Sequence, residues 1–407
     1  MDQTVVALDI GTTKICTLVA EVGPAPQYAT RIVGVGTMPS KGIRRGVVVD
    51  VTEVTNVVLE SIHLAERTSG YEIASAYVGL AGAHISAVNS RGVVAISRGE
   101  RGVRALDVER VLEAARAIDI PQNREILHVI PRSYSVDGED GVRDPLGMQA
   151  YRLEVEAHIV TGSTSSIRNL VSCVQNAGIQ IDALVLEPLA SGETALTDIE
   201  REMGVALVDI GGGTTDIALF IEGSIWHTVV LPTGGEQISR DIAVGLRTPF
   251  DVAEEVKIKY GHALSQPIMP EEMIKINVFG EDGQQQVSRQ FLAEIIEARV
   301  EEIFELILKE IKRSGYDGLL PAGVVLCGGT AELSGIRDLA REVLGLPVRI
   351  GAPQNLQGLV DTLQSPAFAT SVGLLNWGVK HDLTRIARQP TNHSLKMPAW
   401  LKVFLPG

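Results

Sequence analysis

Hydrophobic residues in this chain form short uninterrupted runs that alternate with longer stripes of helical spacing. Val205 to Val208 make one continuous apolar run, which is typical of a strand that is covered on both faces. The run ends at Asp209, passes through three glycines and two threonines, and resumes between Ile217 and Phe220. This pattern predicts a buried strand, a glycine-rich loop and a returning strand.

The loop between these two strands has the composition of a site for polyphosphate and a divalent metal. Its glycines can adopt positive φ angles and bring backbone N–H groups close to an anion, and its threonines add hydroxyl donors. The carboxylates beside them suit a hydrated cation. A β-hairpin whose turn needs unusual backbone angles would explain a lone glycine triplet as well. The candidate residues are Asp209, Gly211, Gly212, Gly213, Thr214, Thr215 and Asp216.

The same pattern occurs near the start of the chain. Residues 7–23, ALDIGTTKICTLVAEVG, align with residues 206–223, ALVDIGGGTTDIALFIEG, in the Asp-Ile-Gly step, the Thr-Thr pair and the apolar run that follows. The alignment indicates that one α/β unit has been duplicated, which places two Asp-led loops opposite each other. The first loop offers Asp9, Gly11, Thr12, Thr13 and Lys14; Lys14 is either a phosphate ligand or a solvated hairpin lysine.

Three further segments carry candidate site residues. Residues 323–335, GVVLCGGTAELSG, predict a buried strand, a close backbone approach at Gly328, Gly329 and Thr330, and then a helix over 336–344. Gly234 and Gly235 precede another helix, whose free N–H groups would face phosphate. Glu187 follows a strand at a Glu-Pro step, and either positions water or stabilises the N-terminus of its own helix.

The spacing of apolar residues also predicts the main helices and a subdivision of the chain. Asp50 has the position of a helix cap before a stripe that runs from Val54 to Ala65, and residues 289–314 carry a second stripe. That second stripe is expected to comprise Phe291, Ile295, Ile296, Val300, Ile303, Ile307 and Ile311. Residues 83–162 lack motif character and predict an inserted α+β subdomain. The expected units are residues 1–82, 83–162, 163–198, 199–379, 380–395 and 396–407.

The last two of these units differ from the rest in chemistry. Residues 380–395 are polar and aperiodic, which is typical of a linker. Residues 396–407 predict a short amphipathic helix with basic flanks, suited to lie in a membrane interface or to dock back onto the domain. From residue 380 onward five basic residues oppose one acidic residue. The membrane-facing candidates are Trp400, Leu401, Lys402, Phe404 and Leu405.

Composition narrows the possible functions. A chain of 407 residues predicts two major domains with insertions. The formal net charge of −14 argues against nucleic-acid binding, because a phosphate-neutralising surface needs an excess of Lys and Arg. Three scattered cysteines indicate neither a disulfide framework nor a metal cluster, so we expect a reduced cytosolic setting. No apolar run is long enough for a signal peptide or a membrane span.

Together, the two Asp-led loops and the Gly-Gly-Thr segment resemble the actin-like ATPase superfamily. The resemblance implies an α/β fold of duplicated ribonuclease-H-like domains that hold ATP and Mg²⁺ between them. It implies that Asp9 and Asp209 meet the metal through water, and that Glu187 lies near the attacking water. Hydrolysis is expected to be slow at most.

Over nearly the whole chain, the sequence resembles the bacterial FtsA cell-division proteins. The resemblance rests on DIGTTK, the inserted subdomain, DIGGGTTD, GGEQISRDIA, CGGTAEL and the amphipathic tail. It implies polymerisation at the inner face of the cell membrane at the division site, binding of the FtsZ C-terminal peptide near Arg299, and recruitment of other division proteins through the insertion. A pilus-assembly scaffold or a small-molecule kinase of the same fold are the alternatives, and neither needs an anchoring tail.

Overall fold

The computed structural model describes residues 3–23, 30–96, 102–280 and 283–387. Each phosphate-type loop predicted from sequence joins two strands of a five-stranded mixed sheet. Within the described residues, no helix is long and apolar enough to cross a membrane.

The first half of the chain builds one sheet and the helix on its outer face. Strands β1 and β2 form the first hairpin, and the tiny strands β4 and β5 form a second one before the helix. The elements are β1 (Gln3–Ile10), β2 (Lys14–Val22), β3 (Thr30–Pro39), β4 (Ile43–Arg44), β5 (Val47–Val48), α1 (Val51–Ser69) and β6 (Ser75–Leu80).

The inserted segment is a four-stranded antiparallel sheet with one helix packed on it. Its strand order is β7-β10-β8-β9, and Val108, Val111 and Leu112 of the helix are buried against one face. The elements are β7 (Ser86–Ala95), α2 (Ala105–Arg116), β8 (Arg124–Val136), β9 (Glu139–Val142) and β10 (Arg152–Ser163).

The chain then completes the first sheet and crosses to the second half. This crossover consists of α3 (Thr164–Asn176), β11 (Gln180–Leu186) and α4 (Glu187–Ala195). The second half follows with α5 (Asp198–Met203), β12 (Val205–Ile210), β13 (Thr215–Ile221), β14 (Ser224–Leu231), α6 (Gly235–Gly245), α7 (Phe250–Tyr260), β15 (Met273–Asn277), β16 (Gln284–Ser288), α8 (Arg289–Ser314), β17 (Val324–Cys327), α9 (Ile336–Leu344), β18 (Val348–Ile350) and α10 (Ala369–Ala387).

The two five-stranded sheets have the same topology. The first has the order β3-β2-β1-β6-β11 and the second has the order β14-β13-β12-β17-β18. In each sheet, adjacent strands among the first three of this order are antiparallel. The last two strands are parallel to the central strand, which is β1 in the first sheet and β12 in the second. Asp9 faces Cys16 across the first hairpin, and Asp209 faces Asp216 across the second. The repeat seen in the sequence is therefore a repeat of the whole sheet.

Local sequence signals place the helix ends. Asp50 caps α1 by accepting the N–H of Glu53. The six residues of the predicted stripe are all buried: Val54, Val57, Val58, Ser61, Ile62 and Ala65. Ser288 caps α8, and Gly315 ends it in the left-handed conformation. The predicted stripe of α8 is wrong at Phe291, which is 45% exposed, and Ile295 is only half-buried. Leu292, Ala293 and Phe304 are buried there in addition to the other expected residues.

Helix α10 corrects two predictions. Residues 369–379 fall within the predicted second domain, yet Val372 and Leu375 pack with Val5 and Leu18 on the first sheet. The predicted linker starts at residue 380, but the helix continues to Ala387. Trp377 stabilises this extension, since its ring stacks on that of the histidine one turn later with centroids 5.2 Å apart. Residues 388–407, including the predicted membrane helix, lie outside the described part of the chain.

Candidate functional site

The two Asp-led loops meet at one cavity of about 140 Å³ between the two sheets. Asp9 and Asp209 lie near the ends of β1 and β12, so the equivalent carboxylates of the two halves approach the same space. The loop after β17 supplies a further wall. The predicted residues that line the cavity are Asp9, Gly11, Thr12, Thr13, Lys14, Glu187, Asp209, Gly211, Gly212, Gly213, Thr214, Gly328 and Gly329.

Glycine at two positions lets the loops touch each other. A Cβ atom on Gly212 would lie 2.2 Å from Cγ2 of Thr13, and one on Gly213 would lie 2.6 Å from the hydroxyl oxygen of Thr12. Both distances are far below van der Waals contact. The second loop therefore packs directly against the threonines of the first, and each loop depends on the other for its position.

Two predicted ligands instead support the second loop from behind. The N–H of Gly235 donates to the carbonyl of Gly211 at 2.9 Å, and the N–H of Glu236 donates to that of Gly212 at 2.8 Å. Gly234 donates its N–H to the side chain of Gln237. The prediction that this helix offers free N–H groups to phosphate is wrong, because the loop carbonyls and the side chain of Gln237 already accept them.

Three other predicted residues also lie behind the cavity wall. The Thr215 hydroxyl donates to the carbonyl of Thr233 at 2.9 Å, and the Thr330 hydroxyl donates to that of Gly211 at 3.0 Å. Asp216 is buried opposite Asp209 in the strand register. These side chains shape the loop rather than line the cavity.

Sequence reasoning missed several residues of the site. Gly46, at the turn between β4 and β5, lines the cavity and donates its N–H to the Thr12 hydroxyl at 3.0 Å. Ala81, Ala367 and Thr370 line it as well. The basic turn GIRRG between two short apolar runs was the available signal for Gly46. No local signal marks the other three, which come from segments far from either loop.

The site is rich in buried carboxylates. Burial raises the pKa of Asp9 and of Asp209, and Lys14 partly offsets the effect on Asp9. Burial and the neighbouring Asp209 raise the pKa of Asp216 to about 8. Burial and the nearby carboxylates, Asp9 first, raise the pKa of Glu187 well above its usual range. The cavity therefore favours binding of positive charge.

Within the described residues, Lys14 is the one basic side chain that lines this cavity. Its ammonium group donates to the carbonyl of Ala367 and lies 3.6 Å from the ring centre of Phe368. It therefore lies at the boundary between the first loop and the segment that leads into α10.

These residues fit a hydrated magnesium ion. Mg²⁺ prefers oxygen ligands and keeps several waters, so it needs only one or two protein carboxylates nearby. In the described residues, no three or more His, Cys, Asp or Glu side chains converge closely enough to form a direct metal cage. Asp9 and Asp209 meet the requirement for one or two nearby carboxylates, because they line the open cavity without enclosing it.

Comparison with known proteins identifies the family. A family model described as cell division protein FtsA matches residues 206–373, and one described as the SHS2 domain inserted in FtsA matches residues 82–161. FtsA of Pseudomonas aeruginosa is 46% identical over 376 residues, which cover 92% of this chain and 89% of that protein. This chain belongs to the FtsA family of cell division proteins. The resemblance drawn from the sequence is confirmed.

Other FtsA proteins match at similar length. That of Borreliella burgdorferi is 44% identical over 381 residues, covering 93% of this chain and 91% of the relative. That of Escherichia coli K12 is 37% identical over 405 residues, covering 98% and 96%. These relatives also place this chain among the cell division proteins.

Solved structures confirm the actin-like fold. The PilM–PilN type IV pilus biogenesis complex superimposes with a TM-score of 0.66 at 17% identity, covering 92% of this chain and 98% of the other. MreB5 of Spiroplasma citri bound to ADP gives a TM-score of 0.57 at 14% identity, covering 95% and 99%. At these identities the likeness concerns the fold alone.

The remaining predicted site residues lie away from the cavity or outside the described chain. Arg299 lies on α8, where its guanidinium pairs with Asp241 of α6 and with Glu302 one turn along α8. The tail residues Trp400, Leu401, Lys402, Phe404 and Leu405 lie outside the described residues.

Proposed function

We propose that this FtsA family member binds ATP with Mg²⁺ between its two halves and polymerises at the inner face of the cell membrane. There it tethers the FtsZ ring at the division site and recruits later division proteins through its inserted subdomain. The observation that carries this proposal is the meeting of two equivalent Asp-led loops in one cavity. A scaffold or kinase function does not call for the basic, apolar tail.

The chain's own residues have separate tasks at the ATP site. The backbone N–H groups of the glycine loops bind phosphate oxygens, and Lys14 adds charge. Asp9 and Asp209 would hold a magnesium ion through water. The ion would supply positive charge among the carboxylates and polarise the phosphoryl group of the bound nucleotide.

Glu187 orients water for slow hydrolysis. Burial and the carboxylates around it raise its pKa. Its proposed task is to hold the water by hydrogen bonding, and ATP serves mainly as a ligand that favours one conformation and assembly into filaments.

The surface around Arg299 is suited to the FtsZ C-terminal peptide. Arg299 and Asp241 form a charged pair between α8 and α6, and Val244, at the end of α6, is 79% exposed. Ile295 of α8 approaches the neighbouring Gly245, where a Cβ atom would lie 2.6 Å from its Cδ1. An exposed apolar residue beside a charged pair is a common composition for a peptide-binding surface.

The tail provides membrane attachment. Burying four apolar side chains contributes roughly 1.5 to 3 kcal/mol each before ordering costs. The flanking lysines add about 1 kcal/mol each on an anionic leaflet. One tail is then a weak and reversible anchor, and a filament that presents many tails binds much more tightly.

Vesicle sedimentation with a labelled FtsZ C-terminal peptide tests the proposal. The full chain with ATP and Mg²⁺ is expected to carry the peptide to anionic vesicles. Trp400→Glu should release protein and peptide together, whereas Arg299→Glu should release only the peptide. Arg313→Glu is the matched control, because Arg313 lies on the same helix and pairs with Glu310. Retention of the peptide by Arg299→Glu, or of protein by Trp400→Glu, would contradict the proposal.

A further inference from the structure

Two neighbouring residues of α10 hold the equivalent aspartates of the two halves. The Thr370 hydroxyl donates to Oδ2 of Asp209 at 2.9 Å, and the Ser371 hydroxyl donates to Oδ2 of Asp9. All four side chains are buried. The duplicated carboxylates are thus tied to consecutive residues of one helix.

These hydroxyls are fixed by the packing of their helix. The Thr194 hydroxyl of α4 donates to the carbonyl of Ala369 at 2.8 Å. Gly373 lies so close to α4 that a Cβ atom there would be 1.9 Å from the carbonyl oxygen of Ala190. Because α10 cannot shift without breaking these contacts, the two donors stay in place.

A fixed donor on one carboxylate oxygen sets the orientation of the other. With Oδ2 of Asp209 engaged by Thr370, Oδ1 lies beside Gly328, where a Cβ atom would be only 2.4 Å away. Gly328 has a φ of 85°, which glycine adopts without strain. The side chain of Asp209 therefore lies between the Thr370 hydroxyl and the backbone of Gly328, which has no side chain to displace it.

We propose that Thr370 and Ser371 are positioning residues that orient Asp209 and Asp9 toward the hydrated magnesium of the nucleotide. This inference rests on the proposed ATP function. Groups that hydrogen-bond metal-holding carboxylates typically change metal affinity by about 10-fold to 100-fold when they are removed. Since the two donors are adjacent on a rigid helix, they also fix the distance between the two halves of the magnesium site.

Nucleotide binding as a function of free Mg²⁺ tests this role in the full chain. We compare the affinity for a fluorescent ATP analogue in Mg²⁺ and in EDTA, for Thr370→Val, which keeps the shape, and Thr370→Ser, which keeps the hydroxyl. Thr370→Val should reduce the gain in affinity due to Mg²⁺, which is the ratio of the affinity in Mg²⁺ to that in EDTA, about tenfold. Thr370→Ser should behave as wild type. Ser371→Ala is expected to behave as Thr370→Val does, and Ser371→Thr as Thr370→Ser does.

A packing control separates this role from general damage. Thr194→Val removes a hydrogen bond that holds α10 but leaves both hydroxyl donors, so it should lower the melting temperature and keep the Mg²⁺ gain. Equal behaviour of the Val and Ser variants at position 370, or an equal loss in EDTA, would overturn the inference while leaving ATP binding intact. A wild type with no Mg²⁺-dependent affinity would overturn the proposed function and this inference together.

Discussion

The imidazole Nε2 of His158 lies 2.9 Å from the hydroxyl oxygen of Thr228. This hydrogen bond joins β10 of the inserted subdomain to β14 of the second half. The other ring nitrogen lies 2.7 Å from Oδ1 of Asn89, an acceptor, so Nδ1 carries the proton and Nε2 accepts from Thr228. Nearby, the guanidinium carbon of Arg132 lies 4.1 Å from the ring centre of Trp226. The insertion therefore bridges the two halves of the molecule.

The buried position of His158 predicts a dependence of folding stability on pH. Burial, with smaller contributions from His227 and Arg132, lowers the pKa of His158 from 6.5 to about 3. Between these values the unfolded chain binds a proton that the folded chain refuses, so this stabilising contribution is lost as the pH falls below 6.5. Near pH 5 the loss is roughly 2 kcal/mol.

Urea unfolding at pH 7.5 and pH 5 measures this effect. Other buried groups also titrate, so the informative quantity is the difference in free energy of unfolding between wild type and His158→Gln. This difference should shrink by about 2 kcal/mol at the lower pH. His63→Gln, at an exposed position of α1, should leave the wild-type dependence unchanged. A difference that is the same at both pH values would contradict the prediction.

Contact between the two glycine loops predicts a compensating pair of substitutions. Gly212→Ala places a methyl group 2.2 Å from Cγ2 of Thr13, which forces the loops apart and should weaken ATP binding at least about tenfold. Thr13→Ser removes that Cγ2 atom, so the double variant should recover most of the loss. A double-mutant cycle of ATP affinity checks it. Additive effects would show that the loops act independently.

The role proposed for Glu187, which is to hold water rather than to remove its proton, predicts slow turnover. Steady hydrolysis in wild type should stay well below about 10 per second, the usual scale for enzymes. Glu187→Gln should keep the ATP affinity and lower hydrolysis at least about tenfold, because it disturbs the hydrogen bonding of the water. Glu193→Gln is the control, because Glu193 lies on the same helix but pairs with Arg201 at 3.2 Å. Fast turnover in wild type would favour a kinase-like activity instead.

Elements marked by local sequence signals were predicted well. Helix α8 has the predicted bounds, because Ser288 caps its start and Gly315, in the left-handed conformation, ends it. The same holds for α9, and both loop-bearing hairpins form where the apolar runs predict them, with strands that extend up to two residues beyond the runs of the second hairpin. In these cases the residues that decide the structure are neighbours in sequence.

Features that depend on distant contacts could not be predicted in this way. Thr370 and Asp209 are 161 residues apart, and Ser371 and Asp9 are 362 residues apart. Chain order placed α10 in the second half, whereas its apolar face fits the first sheet. Likewise, only the folded structure shows that the N–H of Gly235 donates a hydrogen bond to the carbonyl of Gly211 in the loop.

The central claim is that ATP with Mg²⁺ occupies the cavity between the two halves, and one calorimetric comparison tests it most directly. Gly329 lines the cavity and lies in a short 3₁₀ helix, where an added Cβ atom would lie 3.8 Å from Cβ of Ala367, an ordinary van der Waals contact. Gly318 lies in another short 3₁₀ helix, away from the cavity-lining residues, and a Cβ atom there would meet no described atom within 4 Å.

Titration of ATP in Mg²⁺ into Gly329→Val and Gly318→Val therefore compares the same substitution inside and outside the cavity. We expect Gly329→Val to bind at least about tenfold more weakly than wild type, because its side chain projects into space that the nucleotide needs. Gly318→Val should bind as wild type does. Wild-type affinity in Gly329→Val, with its fold intact by melting temperature, would contradict the account.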